Sequence, residues 1–351
     1  MPRIRARRRA SNENVSDVRH LNCPISIALP ANVACLHSFD TNDAQYDLAW
    51  SETNENQLLA ACGDGSIKLY DVNVNDFPVM NFHEHKREVY AVAWSPVTKD
   101  TFISSSWDGT VKIVRLQPPP VHSCRSKLTC FALKWSPARQ ESLRTLPIGN
   151  CTYSASYCPS NPNIISAVST DSHLRIFDLR KPIDATYGRA EIIQVHKPPA
   201  VPMPPGISPP AMPAEILTHD WNKYRDTVIA TGGVDRVIRT FDIRSPAAGP
   251  TSIMMGHDYA VRRLAWSPHA ADILISTSYD MTVRLWTDGS TMGAAQPSVK
   301  PGVQLGIMNR HTEFVTGVDW CLFGVGGWVA TVGWDERLLL WDANAMLQGR
   351  A

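Results

Sequence analysis

Paired cysteines are missing from this chain. Its eight cysteines, Cys23, Cys35, Cys62, Cys124, Cys130, Cys151, Cys158 and Cys321, form no C-x-x-C. Zinc sites usually draw their ligands in such short-spaced pairs, so no metal site is expected. Scattered thiols without a secretory leader read as reduced. Long apolar runs are missing too. The nearest candidate, Cys321 to Trp334, is rich in glycine and closed by Asp319 and Asp335. It falls short of the roughly 20 residues a membrane helix needs. No G-x-S-x-G, Walker A or H-E-x-x-H motif occurs, so no catalytic residue, cofactor or enzymatic activity is expected. Excess charge is confined to the first ten residues, which hold Arg3, Arg5, Arg7, Arg8 and Arg9 and no acid. That leaves 29 of the 34 basic groups against all 33 acidic ones over residues 11–351. Such a body has no surplus cations to displace counterions from phosphates, so nucleic acid is not an expected partner. The arginine cluster reads as a solvated tail, with an RNA-binding or nuclear-targeting segment as the alternative.

What is present is an ordinary globular composition, 44% apolar and 19% charged over 351 residues, and a repeat. Six segments share one order of features. They are YDLAWS with LLAACGDGSIKLYD from Tyr46, VYAVAWSP with TFISSSWDGTVKI from Val89, and TYSASYCP with IISAVSTDSHLRIFD from Thr152. The others are ILTHDWN with VIATGGVDRVIRTFD from Ile216, VRRLAWSP with ILISTSYDMTVRLW from Val261, and VTGVDWC with WVATVGWDERLLLWD from Val315. Each holds three short alternating or β-branched stretches separated by turn residues, and helical periodicity is absent. The units are read as β-strands. An aspartate recurs at Asp64, Asp108, Asp171, Asp235, Asp280 and Asp335, at spacings of 44, 63, 64, 45 and 55. His85, His257 and His311 precede three of the units.

Two spacings are long. Residues 197–213, KPPAVPMPPGISPPAMP, hold eight of the 26 prolines, and without them the spacing of 64 becomes 47. Such a run cannot pair in a sheet, so it reads as an extended loop, a spacer rather than an SH3-type ligand. The other spacing holds residues 114–134 between TVKI and Trp135-Ser-Pro. Removing them gives TVKIWSP, with Trp135 as the missing aromatic. These 21 codons are 63 nucleotides, a multiple of three. Val114-Arg115, Leu128-Thr129 and Lys134 are encodable as a short intron's start, branch point and end. An unspliced intron is the reading, and a true surface insertion the alternative.

These residues resemble the WD-repeat family over about 40–342. The resemblance implies an all-β fold, a WD40-type β-propeller over 36–344, with six blades recognisable where the receptors described next have seven. It also implies that His, Ser or Thr, Asp and Trp form a buried hydrogen-bonded chain within a blade. His85, His257, His311, Asp64, Asp108, Asp171, Asp235, Asp280 and Asp335 are therefore expected to be structural rather than metal-binding or acid–base residues. Residues 1–35 are expected to be disordered or to reflect an error in the first exon, and 345–351 to form a tail. Val33 to Phe39 (VACLHSF) offers an outer strand to close the ring against the last blade.

The wording of the blades is more specific. DTNDAQYDLAWSE from Asp40, HKREVYAVAWSP from His85, EILTHDWNKY from Glu215, HDYAVRRLAWSPH from His257, SYDMTVRLW from Ser278 and HTEFVTGVDW from His311 look like the peroxin 7 family in its filamentous-fungal form. These are receptors for the type 2 peroxisomal targeting signal. The resemblance implies a non-enzymatic receptor in the cytosol that cycles to the peroxisomal membrane and matrix. Its implied partners are proteins bearing the type 2 signal, a fungal co-receptor and the peroxisomal docking complex. The signal is an N-terminal helix: a basic and an aliphatic residue, five loosely specified ones, then His or Gln and Leu or Ala. Its two defined pairs are seven apart and share one helical face. The competing reading is another WD-repeat scaffold, such as a substrate adaptor of a ubiquitin-ligase or chromatin complex.

A propeller of this kind presents three positions per blade on its top face: the two that flank the first strand's opening residue, and the one before the turn aspartate. Here they are Ala44, Tyr46 and Gly63; Glu88, Tyr90 and Trp107; Cys151, Tyr153 and Thr170; Glu215, Leu217 and Val234; Ala260, Arg262 and Tyr279; Phe314, Thr316 and Trp334. Seven of the eighteen are aromatic, against 8% of the chain. Asp43 and Glu313 lie one residue away. Aromatics beside carboxylates suit an apolar and cationic helix, and plugging the central channel is their alternative role. The expected signal-binding residues are Asp43, Tyr46, Glu88, Tyr90, Trp107, Tyr153, Glu215, Tyr279, Phe314 and Trp334, with Glu88 taking the basic residue. One prediction concerns the message itself: mature transcript amplified across codons 114–134 will be 63 nucleotides shorter than the gene. Sequenced message that retains those codons establishes the insertion instead.

Overall fold

The middle stretch of each repeat is dominated by small and β-branched residues because it lies between two strands and also between two sheets. Thr101–Ser106, for example, is buried at every position. The computed structural model describes residues 38–39, 41, 43–74, 77–116, 142–181, 189–194, 214–290, 300–322 and 326–348. Residues 1–35, 117–134 and 197–213, on which several expectations fall, lie outside these.

The described strands form six sheets, here called blades 1 to 6 in chain order. Blade 1 contains β1 (Gln45–Trp50), β2 (Gln57–Cys62), β3 (Ile67–Asp71) and β4 (Met80–Phe82), antiparallel throughout. Blade 2 contains β5 (Val89–Trp94), β6 (Thr101–Ser106), β7 (Thr110–Arg115) and β8 (Arg144–Pro147). Blade 3 contains β9 (Thr152–Tyr157), β10 (Ile164–Ser169), β11 (His173–Asp178) and β12 (Arg189–Gln194). Blade 4 contains β13 (Ile216–Trp221), β14 (Val228–Gly233), β15 (Val237–Asp242) and β16 (Ser252–Met255), with the short β20 (Lys300–Pro301) parallel to β16. Blade 5 contains β17 (Val261–Trp266), β18 (Ile273–Ser278), β19 (Val283–Thr287) and β21 (Val303–Met308). Blade 6 has three described strands, β22 (Val315–Trp320), β23 (Trp328–Gly333) and β24 (Leu338–Asp342). The described residues form a β-propeller arrangement of six blades, as the repeat predicts. The stretch read as a tail from residue 345 continues as a helical turn, α1 (Asn344–Gln348), whose Met346 packs against the core shared by blades 5 and 6.

Sheets bury their faces by meeting neighbours. Leu59, Phe82 and Phe102 join blades 1 and 2, and Ile103, Leu146 and Ile165 join blades 2 and 3. Leu174, Trp221 and Phe241 join blades 3 and 4, and Met254, Trp266 and Trp286 join blades 4 and 5. Leu285, Val315 and Trp320 join blades 5 and 6. No such cluster links blade 6 to blade 1 among the described residues. The free face of blade 1 carries Leu58, Ala60, Cys62 and Tyr70, and Phe39 lies on Tyr70 with ring centroids 4.7 Å apart. Leu48 of β1 is 54% exposed on that side, and β24 is half-buried along its length.

The turn from the second to the third strand places the residue after the aspartate in the left-handed region in every blade. Gly65 (φ 85°) and Gly109 (φ 77°) suit that geometry, whereas Ser172, Arg236, Met281 and Glu336 adopt it at φ 61–69°. At Gly65 a side chain is also barred sterically, since a Cβ would approach the His85 carbonyl oxygen to 2.8 Å.

Val114 continues β7 and pairs with Phe102. This is the register position held by Tyr70, Phe177, Phe241, Trp286 and Trp341 in the other blades. In blade 5 the Trp286 indole donates to Ser276 Oγ at 2.8 Å, and valine offers Ser104 no such donor. Deleting residues 114–134 puts a tryptophan in this slot. Scanning calorimetry is expected to show a Tm raised by about 3 °C or more, from larger apolar burial and one buried hydrogen bond. A lowered or broadened transition would mean that the deleted residues belong to the fold.

Candidate functional site

Every innermost strand holds one residue more than its partner. In β1 and β2, Gln45 pairs with Cys62 and Asp47 with Ala61, which leaves Tyr46 as the extra residue of a bulge. The same shift isolates Tyr90, Tyr153, Leu217, Arg262 and Thr316. A bulge re-aims its side chain out of the pleat. Beside it a backbone hydrogen bond closes each blade's rim: Gly63 N to Ala44 O, Trp107 N to Glu88 O, Thr170 N to Cys151 O, Val234 N to Glu215 O, Tyr279 N to Ala260 O and Trp334 N to Phe314 O, all 2.9–3.1 Å. The eighteen positions picked from the repeat therefore lie at one end of the blades.

Their aromatic members fall into two groups. Over blades 1 to 3, Tyr46 stacks on Tyr90 at 4.4 Å and Tyr90 stacks on Trp107 at 4.9 Å. Tyr153 meets both edge-on, at 5.3 and 5.9 Å. Tyr90 is only 7% exposed, so it forms the middle of the stack rather than offering a face of its own. Over blades 5 and 6, Phe314 lies 5.0 Å from Tyr279 and 5.1 Å from Trp334, which is 41% exposed. The carboxylates differ in their ties. Glu215 accepts a hydrogen bond from the Tyr153 hydroxyl at 3.1 Å. Asp43 is exposed and caps the backbone N–H of Ala44 at 2.8 Å. Glu88 faces the Arg87 guanidinium at 3.6 Å, and Arg87 lies over the Trp107 ring at 5.3 Å. Burial pushes the Tyr90 and Tyr153 phenols above their usual range, and nearby Arg262 opposes the shift. Both phenols stay protonated at neutral pH.

Behind this rim the turn aspartates are held in two ways. Where a histidine precedes the blade, its Nδ1 meets the carboxylate and its Nε2 meets a hydroxyl. His85 joins Asp108 and Ser104, both at 2.9 Å, and His257 joins Asp280 and Ser276, both at 2.7 Å. His311 joins Asp335 and Thr331, both at 3.0 Å. Elsewhere a cation four residues on takes that role. Lys68 meets Asp64 at 3.2 Å, Arg239 meets Asp235 at 2.5 Å, and Arg175 pairs with Asp171. Sequence reading missed these cations, although D-x-x-x-[KR] recurs at all three sites. It also missed His219, out of phase with the repeat, whose Nε2 meets Ser166 Oγ at 2.7 Å and Ser156 Oγ at 3.0 Å. Across the channel, Arg263 reaches Asp47 at 2.8 Å, and Asp47 also accepts the Val92 N–H at 3.1 Å. Among the described residues no cluster of histidine, cysteine and carboxylates is arranged to hold a metal ion. No described helix is long and apolar enough to cross a membrane.

The chain matches the family described as WD domain, G-beta repeat, over residues 33–71, 77–114 and 249–287. It is 34% identical to the peroxisomal targeting signal 2 receptor of Saccharomyces cerevisiae, across 88% of this chain and 85% of that protein. Identity is 36% to the Komagataella phaffii receptor of the same name, across 92% and 89%, and 33% to the Homo sapiens one, across 82% and 73%. The chain belongs to the peroxisomal targeting signal 2 receptor family. Its relatives in that family are named as receptors, and this chain carries the WD repeat. In this member of the peroxisomal targeting signal 2 receptor family, the second repeat match ends at Val114, where β7 meets the 114–134 stretch.

These buried groups set a pH profile for this family member. Burial holds His219 at about 3, below its ordinary 6.5, and lowers His257 in spite of its Asp280 partner. For Asp108, Asp171 and Asp280, burial works to raise the pKa, but hydrogen bonds from His85, Arg175 and His257 outweigh it and leave each carboxyl well below its usual range. A histidine kept neutral binds fewer protons folded than unfolded, so stability falls as pH drops below about 6.5. The depressed aspartates contribute stability that is present above about 3.8 and lost as pH falls further. Tm measured against pH is expected to be flat near neutrality, to decline below about 6.5, and to decline faster below about 4. His219→Gln is expected to flatten the first decline.

Proposed function

We propose that this chain is a receptor for the N-terminal type 2 peroxisomal targeting signal. It delivers the proteins that carry the signal, together with a separate co-receptor, to the docking complex at the peroxisomal membrane. It is not an enzyme, and it cycles between the cytosol and the peroxisome. The observation that carries this reading is the rim of blades 1 to 3, where Tyr46, Trp107 and Tyr153 stand beside Glu88 and Glu215. A helix with basic and aliphatic residues on one face needs such a surface: rings for the aliphatic side chains, carboxylates for the cation. Tyr279, Phe314 and Trp334 supply a second apolar platform for the signal's later pair. Asp43 adds negative potential at the edge, which favours encounter with a cationic peptide. Tyr90 forms the middle of the stack. The propeller over 36–344 is the frame for this face.

The test is fluorescence anisotropy of a labelled type 2 signal peptide titrated with the purified chain and co-receptor. Saturable binding is expected, lost when the peptide's basic residue becomes Glu. Glu88→Lys is expected to weaken binding about tenfold or more, through charge reversal at the cation's site. Its Tm should move by no more than about 2 °C, because the side chain is at the surface. Unchanged binding by that variant removes Glu88 from the site. No binding by the wild-type chain removes the reading.

A further inference from the structure

The carboxylate assigned to the ligand's cation, and the indole beside it, already hold a cation of this chain. The Arg87 guanidinium stands 3.6 Å from Glu88 and 5.3 Å above the Trp107 ring. Trp107 is half-buried among its neighbours. Tyr90 stacks on it within 12° of parallel, and Tyr153 meets it at 82°. Arg87 lies over the same ring. A second guanidinium cannot occupy the same ring face and carboxylate, because like charges at that range repel and the two groups overlap.

We propose that Arg87 is an internal competitor: its side chain fills the Glu88–Trp107 socket in the empty receptor, and the ligand's basic residue displaces it. The inference rests on the receptor reading for what the ligand is, and on this chain alone for the socket. The backbone is arranged for such an exchange. The Lys86 N–H donates to Asp108 Oδ2 at 3.0 Å, and the Arg87 carbonyl accepts from Ser106 Oγ at 3.1 Å. The main chain is thereby pinned at both residues, whereas the Arg87 side chain is 51% exposed and swings free without disturbing the blade. The displacement makes binding selective. A peptide lacking a cation cannot replace what Arg87 gives Glu88, so it meets a socket that is already satisfied. Affinity is the cost, since the ligand must exchange one cation–π contact and one ion pair for equivalents.

Two measurements on the full-length chain test this. In the first, acetyl-arginine amide is the probe, followed by saturation-transfer difference NMR. Arg87→Ala is expected to bind it, and neither the wild type nor Arg87→Lys is. In the second, the labelled type 2 signal peptide with co-receptor is expected to bind Arg87→Ala about threefold to tenfold tighter than wild type, as an exposed pair and a cation–π contact allow. The gain is expected to shrink as salt rises and to vanish in a Glu88→Gln background. Wild-type binding of the peptide with no gain in Arg87→Ala overturns the competitor role and leaves the receptor reading standing. Binding of the arginine amide by Arg87→Ala with no peptide binding by any form keeps the socket and overturns the receptor reading. Failure of both probes overturns both.

Discussion

One surplus residue in each innermost strand governs what this protein can display. Strict alternation would turn every second side chain of β1, β5, β9, β13, β17 and β22 into an inter-blade core. The bulge interrupts that count once per blade and sends Tyr46, Tyr90, Tyr153, Leu217, Arg262 and Thr316 toward the rim. Below it the alternation resumes, so Val92, Ala155 and Trp221 still reach the seams between sheets. Display and burial are thereby separated along a single strand. The rim is free to vary in chemistry while the seams stay apolar.

Holding that bulge in place falls to the turn beside it. The turn aspartate accepts from its own backbone two residues on, as Asp108 does from Thr110 at 2.9 Å and Asp280 from Thr282 at 2.9 Å. What holds the carboxylate differs between blades, an imidazole at Asp108, Asp280 and Asp335 and a lysine or arginine at Asp64, Asp171 and Asp235, with Arg284 also 3.6 Å from Asp280. The two solutions place the partner on opposite sides of the turn, the histidine before the innermost strand and the cation on the third. Either one satisfies a buried anion, which would otherwise be costly. The blades therefore share a turn without sharing a sequence.

The parts that were legible in the sequence are those built from neighbours. Strands, turn aspartates and the eighteen rim positions recur at fixed offsets within about 45 residues, so the repeat betrays them. Contacts between blades leave no such trace. Arg263 and Asp47 are 216 residues apart. His219 meets Ser156 and Ser166 across a seam 63 and 53 residues wide. Arg87 was invisible for a different reason: it precedes the rim positions by one residue, and only the tertiary path of its side chain carries it over Trp107. The reading of Tyr90 as one more rim aromatic gave no hint that three other rings would cover it, since burial depends on what the neighbouring bulges hold.

The ion pair between Asp47 and Arg263 gives this ring an unequal mechanics. It acts as a strut across the axis, tying blade 1 to blade 5 at a level below the rim. Blade 6 hangs outboard of that strut, and its one apolar seam among the described residues is with blade 5. Among the described residues, peeling it away breaks a single apolar seam, whereas removing blade 3 breaks two. The second aromatic platform, Phe314 and Trp334 of blade 6 with Tyr279 of blade 5, bridges that one seam. A body that settles on all three rings therefore works as a clasp, and fastening the rim also fastens the loosest leaf of the fold.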